Sequence, residues 1–222
     1  GGRTVVVGTQ LDYAPVEIAT VTFNAFANRN GKPEWFRGPG DMNALPVGEQ
    51  TFAGVAFKLG DFRTSPVPSV MMLKSRDNRV NTQEITGIEI GRKADALFFL
   101  HTAAPTGGLR RWEGRPRNQP RPIIGRYRVH YSDGSKEDIP VLWKVDIGPW
   151  HTTAAVDLPG AALAWSAEIP NDKENRQLAV YMMQWTNPSP DKEIESIDIV
   201  GDKTSQSSAP AVFAITCAKV VE

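Results

Sequence analysis

The chain has 222 residues, and its 25 basic and 25 acidic side chains cancel to a formal net charge of zero, which removes any general electrostatic attraction for nucleic acid or an anionic membrane. One cysteine, Cys217, excludes an intrachain disulfide and the repeated thiolate pairs of a structural zinc site. Neither staple is needed, because a domain of this length buries roughly 70% of the surface its unfolded chain exposes.

Apolar runs separated by 17 Pro and 19 Gly predict strands throughout. In chain order they are TVVVGTQ (4–10), ATVTFNAF (19–26), FAGVAFKL (52–59), VMMLK (70–74), ITGIEI (85–90) and ALFFLHTAA (96–104). They continue with IGRYRVHYS (124–132), KEDIPVLW (136–143), AALAWSAEI (161–169), QLAVYMMQW (177–185), IESIDIV (194–200) and AVFAITCAKV (211–220). No long window keeps a helical period; residues 157–169 come closest, but Pro159-Gly160 suits a turn leading into a strand. The expectation is an all-β chain, a single two-sheet antiparallel β-sandwich of ten to twelve strands spanning 1–222, with 1–19 a linker or first strand.

Side-chain alternation sharpens two segments. Tyr127, Val129 and Tyr131 alternate with Arg126, Arg128 and His130, and Asp133-Gly134 follows where a tight hairpin turn belongs. The run at 178–185 is apolar on both faces, as expected of a central strand whose outer side is also covered. Cys217 sits in such a run and reads as a small buried hydrophobe.

Function is sought in the irregular stretches 27–50, 106–122 and 146–160. Trp143, Trp165 and Trp185 fall within strands and read as core, whereas Trp35, Trp112 and Trp150 fall in loops. A loop tryptophan either plugs the end of the sandwich or stacks on a sugar ring; with His151, Arg111 and Arg115 these three form the candidate ligand-binding set. Arg110, Arg111, Arg115, Arg117 and Arg121 read either as forks for an acidic polysaccharide or as a solvated rim.

Catalytic signatures are few. Neither a glycine-rich phosphate loop nor a G-x-S-x-G elbow is present, and His101, His130 and His151 lack metal-ligand spacing. His101, ending an apolar run, reads as a buried hydrogen-bonded side chain rather than a base. Arg126, Arg128 and His130 are the one grouping that suits a hydrolase or lyase. Asp41, Asn43, Asp198 and Asp202 are the weak oxygen donors for a structural calcium, with no contiguous Asp-x-Asp-x-Asp loop; no other cofactor is expected. The longest apolar stretch, ADALFFLHTAA, is too short to span a membrane. GGRTVVVGTQ has no leader pattern and no initiating Met, so the chain reads as part of something longer.

Five ordered blocks carry a family resemblance: GDMNALPVGEQTFAGVAFKL, ITGIEIGRKADALFFLHTAA, GRYRVHYSDGSKEDIPV, DIGPW and WTNPSPDKEIESIDIV. Together, across about residues 20–216, they resemble the bacterial galactose-binding-like (jelly-roll) β-sandwich modules attached to polysaccharide-degrading and surface proteins. Gly54, Phe57, Leu100, His101, Tyr131, Asp133, Gly134, Asn187 and Pro188 look like scaffold within those blocks. The resemblance implies a non-catalytic carbohydrate-binding module, outside the cell, at the cell surface or in the periplasm, with a polysaccharide as ligand and covalently linked neighbouring domains. The alternatives are a structural or protein-interaction sandwich of a larger surface protein and, less favoured, a glycoside hydrolase or polysaccharide lyase.

Overall fold

The computed structural model describes residues 10–18, 35–36, 38–60, 70–75, 82–104, 119–202 and 210–221. Among them there is no helix, and thirteen strands pair antiparallel throughout. They are β1 (Leu11–Pro15), β2 (Gly48–Phe52), β3 (Val55–Leu59), β4 (Met71–Met72), β5 (Glu84–Lys93), β6 (Ala96–Ala103) and β7 (Ile123–Tyr131). Then follow β8 (Lys136–Leu142), β9 (His151–Thr152), β10 (Ala161–Glu168), β11 (Gln177–Thr186), β12 (Glu193–Gly201) and β13 (Pro210–Val220).

A seven-stranded sheet runs β1-β13-β6-β11-β10, with β4 beside β13 and β9 beside β11; a four-stranded sheet runs β5-β12-β7-β8. Between these sheets lies the first core. The larger sheet contributes Leu97, Phe99, Tyr181, Met183 and Ile215, and the smaller Ile88, Tyr127, Val129, Val141 and Ile197. Phe99 and Tyr127 stack across the interface with ring centroids 4.2 Å apart. The expected all-β sandwich is therefore present.

The opposite face of the seven-stranded sheet is also buried. The β2–β3 hairpin and residues 35–36 and 38–45 cover it, with Trp35, Phe36, Met42, Leu45 and Phe57 packed against Phe98, Val180 and Phe213. This double burial explains the two-faced apolar run in β11: Ala179, Tyr181 and Met183 enter the first core, while Leu178, Val180 and Met182 enter the second.

Local chemistry sets the turns. Gly134 has φ 83°, a left-handed conformation that glycine adopts without a Cβ clash, and Asp133 Oδ1 accepts the Ser135 N–H at 2.9 Å. β7 and β8 form the expected hairpin, in which Arg128 stands opposite Asp138. Pro159-Gly160 is a turn before β10, as expected.

FAGVAFKL departs from the single expected strand. It holds the end of β2, a two-residue turn with Ala53 at φ 48° and Gly54 at φ 81°, and β3. Among the described residues thirteen strands thus stand, where ten to twelve were expected of the whole chain. β1 lies in the stretch left open as linker or first strand, and β9 lies in an expected loop. The expected strand at 19–26 and all but Gln10 of that at 4–10 fall outside the described residues.

Candidate functional site

The sequence candidates separate into buried residues, residues outside the described set, and one open face. Trp150 and Trp35 are 0% and 3% exposed, so neither offers a ring face to a ligand. Both plug the second core: Trp35 meets Trp150 edge-on with centroids 6.0 Å apart and lies 5.9 Å from Phe213. His151 is buried too, its ring set edge-on to Trp150 at 4.5 Å. The physical reason is the second core itself, whose bulk demands large apolar plugs at this end of the sheet. Gly38 confirms the fit, since a Cβ there would overlap the Trp150 indole. Trp112, Arg111 and Arg115 lie outside the described residues. Trp143 and Trp185 are core as expected, while Trp165 is partly buried against the second core.

His101 is fully enclosed. Nε2 is 2.8 Å from the Asp146 carbonyl, which can only accept, so Nε2 carries the proton and Nδ1 accepts from the Tyr127 hydroxyl at 2.5 Å. Burial drives the imidazole down to about 4, against the opposing pull of the Asp146 carbonyl, and pushes the Tyr127 hydroxyl well above its ordinary value. The group is neutral near pH 7 and sealed from any substrate, so it serves the core as the sequence suggests.

Arg128 and His130 lie on the outer face of the four-stranded sheet, and both are engaged. Arg128 grips Asp138 with two bonds, Nε to Oδ1 at 2.7 Å and a second nitrogen to Oδ2 at 3.0 Å. The guanidinium holds the Asp138 carboxyl below its usual range. His130 Nε2 donates to Asp198 Oδ2 at 2.6 Å, and the Gly87 N–H donates to Oδ1 at 3.0 Å. Among the described residues Arg128 and His130 of the Arg126, Arg128 and His130 grouping are thus each committed to a carboxylate on a neighbouring strand.

The calcium donors are not gathered. Both Asp198 oxygens are taken by His130 and Gly87, and Asp41 accepts from the Asn43 backbone and side-chain amides at 3.0 and 2.8 Å. Asp202 closes a loop through its backbone N–H, 3.3 Å from the Ile124 carbonyl. Among the described residues no three His, Cys, Asp or Glu side chains come together to hold a metal.

Among the described residues one open feature is a groove of about 570 Å³ on the second face of the seven-stranded sheet, between the tip of the β2–β3 hairpin and the turn at 157–161. Small-molecule sites typically span about 300–1,000 Å³, so the volume suits a ligand. Its floor is apolar, made of Phe98, Met182, Ala96, Ala162 and Val55. Polar groups stand around it: Tyr13, Asp95, Asp157, Gln184 and Thr186. Half-buried Tyr13 meets Phe98 at 75° with centroids 5.9 Å apart.

The two carboxylates differ. Asp95 is spent: Oδ1 pairs with Lys219 Nζ at 3.1 Å and Oδ2 accepts the Val220 N–H at 2.7 Å. Asp157 is exposed, and its Oδ1 accepts the Leu163 N–H at 2.8 Å. The turn behind Asp157 is fastened to the core. The Gly160 N–H donates to the Val145 carbonyl at 2.8 Å, and a Cβ on Gly160 would come 2.5 Å from Asp146 Oδ1. Asp146 in turn holds His101 through its carbonyl and the Leu142 N–H through Oδ2, at 3.1 Å. The groove wall is thus built on the enclosed polar cluster.

No family model, curated protein or solved structure matches this chain.

None of the groove residues was a sequence candidate, yet β11 carries a signal for them. On its second face Leu178, Val180 and Met182 give way to Gln184 and Thr186, so the cover ends and the open floor begins there. Tyr13 left no comparable trace, because β1 is a five-residue edge strand without a strong pattern.

Proposed function

We propose that the chain is a non-catalytic carbohydrate-binding module of the galactose-binding-like kind, working beside covalently linked domains outside the cell, and that polysaccharide lies in the groove beside Tyr13. The observation that carries this reading is the groove's make-up: an apolar floor with an aromatic ring at one side and hydroxyl, amide and carboxylate groups around it. Sugar rings present an apolar C–H face and a rim of hydroxyls, and this lining offers a counterpart to each. Binding rather than bond cleavage is favoured because one groove carboxylate is locked in an ion pair and the other is anchored to backbone, while the buried histidine cannot reach solvent. Affinity electrophoresis of the chain through gels cast with plant, algal and microbial polysaccharides tests this. Retardation by a polymer, lost in Tyr13→Ala, supports the reading; free migration in every gel contradicts it.

One observation favours a second reading, a structural or protein-interaction sandwich. The outer face of the four-stranded sheet carries paired charges and, among the described residues, no aromatic platform. Under that reading no polysaccharide retards the chain.

A further inference from the structure

Resting on the reading of the groove as a glycan site, we infer that it selects uncharged polysaccharides and that Asp157 is its specificity-determining residue. Among the described residues no Lys, Arg or His lines the groove. A uronate or sulfate ester placed there would lose water without gaining a cationic partner, and burying an unpaired charge is costly. Lys219 is not part of the lining, and its ammonium is paired with Asp95 at 3.1 Å.

Asp157 supplies the remaining uncompensated charge. The Leu163 N–H orients its Oδ1, and the Gly160–Val145 bond fixes the turn from which it projects. Its Oδ2 has no protein donor among the described residues. A carboxylate held in this way accepts strongly from a sugar hydroxyl, because a charge-assisted hydrogen bond is about twice as strong as a neutral one. The same charge repels an acidic glycan. Discrimination is therefore built from both an attractive and a repulsive element at one residue.

The test is affinity electrophoresis of the wild-type chain and Asp157→Asn through three neutral polymers (laminarin, arabinoxylan and a galactan) and three acidic ones (polygalacturonate, alginate and κ-carrageenan), at low and high salt. Dissociation constants come from mobility against polymer concentration. The wild type is expected to be retarded by at least one neutral polymer, independently of salt, and by no acidic one. Asp157→Asn keeps the acceptor for the Leu163 N–H, so its melting temperature should hold while neutral-glycan affinity falls about tenfold. Salt-sensitive retardation by an acidic polymer, or unchanged affinity in Asp157→Asn, overturns the selectivity and leaves the glycan reading standing. Free migration in all six gels overturns the glycan reading itself and this inference with it.

Discussion

His101 on β6 and Tyr127 on β7 join the two sheets through a 2.5 Å hydrogen bond in the middle of the apolar core, with the Asp146 carbonyl closing the other side of the imidazole. All the bonding capacity of the neutral ring is used. A proton arriving at Nδ1 would need an acceptor where the Tyr127 hydroxyl now donates.

Stability should therefore fall as the solution is acidified. The folded-state value of about 4 lies below the ordinary value of 6.5 for an unfolded chain, so between these the unfolded state binds the extra proton. Stability contributed by His101 is complete above about pH 6.5 and is lost as pH falls toward 4, a change on the order of 3 kcal/mol. Urea unfolding at intervals across this range measures it. His101→Gln, which does not titrate, should show a visibly flatter dependence over the same interval, whatever its absolute stability.

Gly148 belongs to the DIGPW block, and its position explains why a side chain is not tolerated there. A Cβ would run into the Tyr181 ring, which is itself packed in the first core. Gly148→Ala should cost about 1–3 kcal/mol, the usual range for overpacking a filled interior. Thermal melting gives the answer, and a variant as stable as the wild type would show that this contact is looser than described.

Trp150→Ala distinguishes a core residue from a ligand platform. With the indole at 0% exposure, truncation should cost about 3–5 kcal/mol. Any loss of glycan binding should then follow the fraction unfolded, and should recover at a temperature where the variant is still folded. A stable Trp150→Ala protein that no longer binds would return this residue to the ligand site.

Cys217 offers a cheap check on the core of the larger sheet. Burial pushes its thiol up to about 11, so little thiolate forms near neutral pH. A maleimide or disulfide reagent should label the native chain only at the rate of unfolding. Denaturant should bring rapid labelling, whereas fast labelling of the native chain would mean that β13 is open.

The strands were legible where alternation is strict, as in β7 and its turn at Asp133-Gly134, and where both faces are apolar, as in β11. The blocks noted as scaffold also behave as such. Tyr131 Oη donates to Asn187 Oδ1 at 2.7 Å, Asn187 Nδ2 donates to the Ala94 carbonyl at 2.8 Å, and Lys192 pairs with Asp133 at 2.6 Å. Together these tie the β7–β8 hairpin to the turn before β12. The loop tryptophans were misjudged for a definite reason. Local context marks Trp35 and Trp150 as irregular backbone beside Gly and Pro, but only the covered second face of the sheet shows that such backbone can carry core side chains. The groove was hidden by the same fact, since its walls come from β1, β6, β10, β11 and the β2–β3 tip, and no single stretch of sequence contains it.

The most direct measurement is isothermal titration calorimetry of the wild-type chain and Tyr13→Ala, using the neutral polysaccharide that retards the wild type in a gel. Tyr13 is half-buried on an edge strand, so the variant should keep its fold by circular dichroism while its affinity falls at least about tenfold. Equal affinity in the two proteins, or no heat of binding for any polymer, would contradict glycan recognition in this groove.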